Sequence, residues 1–180
     1  MKPLCSLSLL LALFPALGLA QTAPSASTPV SDALRQSLAR FSKNMIAAAD
    51  AMPAEKYSFR PTAEQITFAH LSLHIADSNT RFCSAISGVA VPEAPKLGET
   101  DSKEKLLSSL KASFDFCSSS LAKVDDSHLA DSLPLFPNRS FSRAGVMFIL
   151  SGSWADHYSA QSMYLRLNGI LPPTAQPPKP

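Results

Sequence analysis

Four segments of this 180-residue chain repeat apolar residues at alternating intervals of three and four, which is the spacing of one face of an α-helix. They cover about residues 31–52, 67–87, 101–121 and 140–168. Each such helix has one apolar stripe that must be covered, and a four-helix bundle covers all four stripes together. The sequence therefore predicts an all-α fold, a single four-helix bundle with long connecting loops and no strands.

Residues that begin or end helices stand at the borders of these segments. Pro53 ends the first helix, and Thr67 is a suitable N-cap for the second. Gly88 closes the second helix and Gly169 closes the fourth, since glycine adopts the left-handed conformation that follows many helices. The bundle is expected to occupy residues 30–171.

The first twenty residues have the layout of a secretory signal peptide. Lys2 supplies a positive start, residues 4–19 form a nearly unbroken apolar run, and small residues precede the expected cleavage point. The run is short for a membrane span and is interrupted by Pro15 and Gly18, which favours a cleaved signal over an uncleaved anchor. The sequence therefore predicts an exported protein, periplasmic or secreted, with residues 1–20 removed.

Outside the bundle, residues 21–29 are predicted to be a flexible leader and residues 172–180 an extended, poorly ordered, proline-rich tail. The formal net charge is +2 and the basic residues are scattered, which argues against a nucleic-acid partner. No second apolar run is long enough to span a membrane in the mature chain. A small molecule remains a candidate partner, and the oligomeric state stays open, with a homodimer as one outcome.

Two histidines on different helices are predicted to face one core. His157 falls on the apolar stripe of the fourth helix, and His74 flanks the stripe of the second. Such a pair is the start of a metal site, and neutral imidazole suits zinc, nickel or copper. The alternative is a pair of core histidines whose ring nitrogens are hydrogen-bonded. His70 precedes His74 by one turn, a spacing common by chance, while His128 lies in a polar connection and is expected to be solvated.

Several segments resemble the DinB-like proteins. Residues 52–62, with the sequence MPAEKYSFRPT, resemble the loop after the first helix of that family, and residues 67–77 resemble the second helix. Residues 142–145, 157–158 and 164–173 resemble the fourth. The resemblance implies a four-helix bundle holding a divalent metal on three histidines, one from the second helix and two from the fourth. It also implies thiol-dependent transferase or isomerase chemistry, in which the metal lowers the pKa of a small thiol, although many members have no known activity.

The family pattern transfers only in part to this chain. His74 matches the ligand of the second helix and His157 the second ligand of the fourth, but the first ligand position of the fourth helix is Ser153. A neutral hydroxyl is a poor ligand for zinc or nickel. We hypothesise that His70 replaces it, provided that the relative direction of the two helices allows this. Tyr158 is a further pocket candidate, although consecutive helix residues diverge by about 100°.

Two readings of the function follow. The chain is either an exported DinB-like protein with a divalent metal, zinc or nickel, and a small thiol as cofactors, or a bundle without metal or catalysis. In the second case it binds a small apolar ligand or a protein partner. Ser153 is the residue that separates the two.

Cys83 and Cys117 remain after the predicted cleavage and could form a disulfide in an oxidising compartment. Each lies sixteen residues into its helix, counted from Phe68 and from Ser102. Parallel second and third helices bring the two thiols to one level, whereas an antiparallel hairpin separates them by more than about 10 Å. The sequence favours the parallel arrangement with a disulfide, with two buried free thiols as the alternative.

Overall fold

A computed structural model describes residues 28–177 of the chain, so the predicted signal peptide and nearly all of the leader lie outside the described residues. The predicted all-α bundle is confirmed. Its four helices are α1 (Pro29–Ala51), α2 (Phe68–Ser87), α3 (Lys103–Leu121) and α4 (Arg143–Leu167). None of the helices within residues 28–177 has the length and apolar character needed to cross a membrane.

The helices α2 and α3 run parallel, side by side. The Asn79 side chain donates to Ser113 Oγ at 3.0 Å, and one turn further along both helices Cys83 is joined to Cys117. Because both contacts pair residues 34 positions apart, the two helices run in the same direction. The connection through residues 88–102 therefore returns the full length of the bundle.

The helix α4 runs parallel to α1 and antiparallel to α2. Gln161 donates to the Met45 carbonyl, and three residues earlier on α4 Tyr158 contacts Phe41 of α1. The contacts between α2 and α4 run in the opposite order. His74 contacts His157, whereas Asn79, further along α2, contacts Trp154, which precedes His157 on α4. The order is up, down, down, up, and it brings α2 and α4 into direct contact.

The core lies between the four helices and is closed at one end by the loop after α1. Tyr57 of this loop is 4% exposed and its hydroxyl donates to the Ala49 carbonyl at 2.8 Å. Its ring lies edge-on to Phe68 at 5.2 Å. The largest fully buried side chains come from all four helices and are Trp154, Phe68, Met45, Met52, Ile75, Ile86, Leu106, Leu110, Leu121, Leu150, Leu165 and Gln161.

The predicted start of the fourth helix and the absence of strands are wrong. Residues Ser132–Phe136 (β1) and Arg139–Ser142 (β2) form an antiparallel hairpin, so α4 begins only at Arg143. The turn places Asn138 at φ 58°, a left-handed conformation that asparagine tolerates better than most residues. Ser142 then accepts a hydrogen bond from Gly145 N at 3.1 Å and acts as the N-cap of α4.

The chain after α4 packs on the bundle as far as the structure describes it. Pro172 is buried, residues Pro173–Ala175 form one turn of 3-10 helix, and Thr174 is hydrogen-bonded to Tyr158 of α4. The Tyr158 hydroxyl therefore anchors the described part of the predicted proline-rich tail, residues 172–177, to α4. Residues 178–180 lie outside the described part of the chain.

Candidate metal centre

His74 of α2 and His157 of α4 face each other. Their ring centroids lie 4.9 Å apart and the ring planes meet at 81°, an edge-to-face arrangement. Each histidine projects toward the line along which α2 and α4 touch, which we call the seam, and the antiparallel packing of the two helices places them at the same level. The structure therefore brings together the two histidines that the sequence singled out.

The pair lies at the rim of the bundle rather than in its interior. His157 is half-buried and His74 is exposed, so the expectation of two rings in a dry core is wrong. The buried stripe of α4 runs instead through Trp154, 1% exposed, and Gln161, 0% exposed. Burial of the large indole turns α4 so that His157 falls at the edge of the stripe, where solvent reaches the seam.

A series of buried hydrogen bonds fixes the rotation of α4 about its own axis. Trp154 Nε1 donates to Asn79 Oδ1 at 2.7 Å, Asn79 Nδ2 donates to Ser113 Oγ at 3.0 Å, and the Ser113 hydroxyl donates to the Leu110 carbonyl. Each of these three side chains, Trp154, Asn79 and Ser113, therefore has a hydrogen-bond partner, as buried polar groups require. Sequence reasoning missed Trp154 and Asn79, although the single tryptophan of the chain, next to Ser153, was an available signal.

Ser153 completes the immediate surroundings of His157. Its Oγ lies 3.1 Å from His157 Nδ1, one helical turn along α4, with the donor set by the tautomer of the ring. His74, Ser153 and His157, which stand at the three ligand positions that the family resemblance implies, are thus adjacent in space. The hydroxyl engages Nδ1 and leaves Nε2 as the ring nitrogen free for a further partner.

The environment of His157 opposes protonation of its ring. Burial lowers the pKa of His157 below its ordinary value of 6.5, and the neighbouring His74 lowers it further, while Asp156 acts in the opposite direction. Neutral imidazole is the form that binds metal ions. At neutral pH His157 is therefore in the protonation state that a ligand requires.

His70 is not brought to this pair. Because α2 and α4 are antiparallel, His70 lies on the far side of His74 from Ser153. Its Nδ1 instead contacts the Glu99 carboxylate at 2.7 Å, with the two side chains 47% and 45% exposed. Glu99 also accepts a hydrogen bond from Thr67 Oγ1 at 2.5 Å, so His70 helps to hold the connection through residues 88–102 against the start of α2. The structure gives no support to His70 as the replacement ligand for Ser153.

The remaining candidates point elsewhere. The Tyr158 hydroxyl lies 2.8 Å from Thr174 Oγ1 and accepts from Thr174 N at 3.1 Å, so this residue faces the chain terminus and α1 rather than the histidines. His128 Nδ1 contacts Asp131 at 3.2 Å in an exposed connection. Neither residue contributes to a site with His74.

The donor set around His157 fits a metal ion only in part. Two imidazoles are suitable ligands for zinc or nickel, whereas the Ser153 hydroxyl is a weak third donor. Within residues 28–177, no group of three or more His, Cys, Asp or Glu side chains is arranged to hold a metal ion. The donors that the described residues would offer to a divalent cation here are therefore the two imidazoles and one hydroxyl.

The disulfide lies on the opposite side of α2 from this seam. Cys83 and Cys117 are both 0% exposed, with their Cα atoms 5.2 Å apart, a normal span for a bridge. Cys117 Sγ also lies 3.3 Å from the Asn79 carbonyl oxygen. The bridge thus secures α2 against α3 beside the residue that holds Trp154.

The described residues thus form an up-down-down-up four-helix bundle in which a pair of histidines lies between α2 and α4. A sequence profile of the DinB superfamily matches residues 37–159, more than half of the chain. The chain belongs to the DinB superfamily. No curated protein matches it.

Solved structures show the same fold. A DinB-like protein from Bacillus subtilis is 18% identical with a TM-score of 0.64, covering 80% of this chain and 98% of its own. One from Bacillus cereus is 14% identical with a TM-score of 0.64, covering 79% and 95%. A DinB-family protein from Exiguobacterium sibiricum is 16% identical with a TM-score of 0.59, covering 81% and 95%. At these identities the likeness establishes the fold alone.

Proposed function

We propose that this chain is an exported DinB-superfamily protein that binds one divalent cation, zinc or nickel, through His74 and His157. The observation that carries the proposal is the 4.9 Å approach of two imidazoles from different helices. Members of the superfamily often bind metal, which agrees with this choice. The site is loose because Ser153 stands where a third imidazole would complete the set.

The chemistry proposed for the site is thiol-dependent group transfer. A divalent cation held by His74 and His157 would lower the pKa of a small thiol that binds it and so favour the thiolate. The protein contributes the two imidazoles, a neutral His157, and the Ser153 hydroxyl that orients the His157 ring at 3.1 Å. Exposure of His74 gives a small thiol and its substrate access to the seam.

Export is part of the same proposal. The apolar run of residues 4–19 with its positive start supports a signal peptide. The bridge between Cys83 and Cys117 supports it independently, since disulfides persist in oxidising compartments. A protein with this bridge is suited to the periplasm or the extracellular space.

A second candidate function is a bundle without metal or catalysis that binds a small apolar ligand or a protein partner. The hydrogen bond between Ser153 and His157 favours it, because the hydroxyl satisfies Nδ1 without any cation. On this alternative the two histidines are residues at the edge of the core, and Ser153 stands where the family resemblance implies a third histidine.

Restoring the missing imidazole tests the first candidate. A Ser153→His variant places two histidines one turn apart on α4, opposite His74, and should bind zinc more tightly by about tenfold or more. Ser151→His is the matched control, because it adds a histidine to the same helix at a position turned about 160° away. Zinc content after incubation and dialysis gives the result. Equal zinc retention by the two variants would contradict the proposal and favour the second candidate.

A further inference from the structure

The hydrogen bond between Ser153 and His157 joins a hydroxyl to an imidazole at the surface of the bundle. Ser153 Oγ lies 3.1 Å from His157 Nδ1, and both residues are partly exposed. A serine becomes a nucleophile when an adjacent base accepts its proton, and hydrogen-bond contact between the two side chains is the geometric mark of such a pair. Ser153 and His157 therefore meet the first requirement for attack on a carbonyl carbon.

His74 lies beside this pair, on the other side of the seam. Its ring centroid is 4.9 Å from that of His157, and the residue is exposed. An imidazole ring, neutral or protonated, carries at least one N–H group. Such a group can donate to the oxyanion that forms when a carbonyl is attacked. The seam thus collects a hydroxyl, a base and an N–H donor in one place.

The space beside Ser153 is open to solvent. A Cβ atom added to the preceding residue, Gly152, would meet no heavy atom within 4 Å, its chain neighbours and the backbone of its own helix aside. Ile149, one turn before Ser153, is partly buried and packs against the core, so an apolar surface adjoins the hydroxyl. An open surface of this kind suits a small acyl group that approaches Ser153 from solvent.

We propose that the metal-free protein is an esterase for small carboxylic esters, with Ser153 as the nucleophile and His157 as the base. Ser153 Oγ attacks the ester carbonyl carbon, His157 Nδ1 takes the hydroxyl proton, and His74 donates to the oxyanion. The bond between the carbonyl carbon and the alcohol oxygen then breaks, and His157 returns the proton to the leaving alcohol. Water attacks the acyl-Ser153 ester in the same way, which releases the carboxylic acid and restores the hydroxyl.

A bound cation and this activity exclude each other. A neutral imidazole carries one proton, so a cation on His157 Nε2 leaves that proton on Nδ1. Nδ1 then donates to Ser153 and no longer accepts its proton. The esterase activity is therefore expected only without metal, and it does not depend on the metal centre proposed above.

The activated ester para-nitrophenyl acetate tests the proposal on the metal-free protein. The wild type should release nitrophenolate, and peptide mapping by mass spectrometry should find the acetyl group on Ser153. Ser153→Ala and His157→Gln should each lower the rate of release by about tenfold or more. Ser151→Ala is the control and should leave the rate unchanged, because Ser151 is partly exposed on a face of α4 turned about 160° away.

An unchanged rate in Ser153→Ala would overturn the proposal, since the nucleophile would then be another group, such as the His157 ring itself. Acetyl groups found only at residues other than Ser153 would overturn it as well. Circular dichroism of each variant confirms that the helices are intact.

Zinc separates this proposal from the metal centre. If zinc binds to the wild type, saturating zinc should stop the acetylation of Ser153, and binding without this loss would overturn the role of His157 Nδ1. If zinc does not bind, the metal centre fails, whereas acetylation of Ser153 still supports the esterase. Zinc binding by a chain that is never acetylated at Ser153 when metal-free would overturn the esterase and leave the metal centre intact.

Discussion

His157 sits at the boundary between core and solvent, where a small rotation of α4 decides whether it is a packed residue or an accessible ligand. Its contact with His74 could be predicted from sequence, because both residues flank apolar stripes of helices expected to meet. Its exposure could not be predicted, because the rotation of α4 about its axis depends on the hydrogen bond between Trp154 and Asn79, which are 75 residues apart in sequence. Likewise, nothing local to His70 indicated that Glu99, in a distant loop, would engage its ring.

The lowered pKa of His157 predicts how stability responds to pH. Below about pH 6.5 the unfolded chain takes up a proton at this residue before the folded chain does, so stability should fall as the pH falls from that value toward the lower folded pKa. Above about 6.5 the residue is neutral in both states and this dependence vanishes. In metal-free buffer, His157→Gln should therefore lose less stability between about pH 7.5 and 5 than the wild type.

Thermal unfolding at a series of pH values measures this difference. Gln36→Asn is the control, since Gln36 is exposed on α1 and its replacement changes no titratable group. An acid response in His157→Gln as steep as that of the wild type would contradict the account of the His157 environment.

At the scale of elements, helix borders were the predictable part of the fold. As predicted, Pro53 follows the end of α1, Thr67 is the N-cap of α2, and Gly88 ends α2 with φ 75°. The hairpin of β1 and β2 was missed because its strands have only five and four residues, too few to show a clear alternation. The N-terminus of α1 was also beyond sequence reasoning, since its capping carboxylate is Asp126, which accepts from Val30 N and Ser31 N across 96 and 95 residues.

The contact between α2 and α4 should depend strongly on Asn79. Replacing Asn79 by Ala leaves the buried Trp154 Nε1–H without its acceptor, and an unsatisfied buried polar group costs about 1–3 kcal/mol. The same change removes the hydrogen bond that Ser113 Oγ accepts, although the Ser113 hydroxyl still donates to the Leu110 carbonyl. We therefore expect Asn79→Ala to lower the free energy of unfolding by about 2–3 kcal/mol. Urea denaturation measures the change, with Asn44→Ala on the partly exposed side of α1 as the control. A loss no larger than that of the control would show that this polar chain does not hold α4 in place.

At the scale of the whole molecule, the parallel course of α2 and α3 is the feature that organises the bundle. The long connection between them and the equal depth of the two cysteines in their helices indicated it before the structure did. The packing of residues 172–177 could not be anticipated, because a proline-rich sequence carries no signal for the Tyr158 hydroxyl that anchors it.

The bridge between α2 and α3 should contribute to stability. It closes a loop of 34 residues, and such a cross-link typically stabilises by about 2–4 kcal/mol. The double variant Cys83→Ala/Cys117→Ala should therefore unfold at lower urea concentration, and a reductant should weaken the wild type but not the variant. Alkylation of the unfolded, unreduced protein gives a direct check, since labelling of Cys83 and Cys117 would show free thiols and refute the bridge.

The most direct test of the metal centre is a calorimetric titration of the metal-free protein with zinc, carried out on the wild type and on three histidine variants. We expect a single weak site in the wild type that is lost in both His74→Ala and His157→Ala. We expect His70→Ala to bind like the wild type, because the His70 ring is engaged by Glu99 instead. Zinc binding that survives the loss of either His74 or His157, or no binding by the wild type, would contradict the existence of a cation site between α2 and α4.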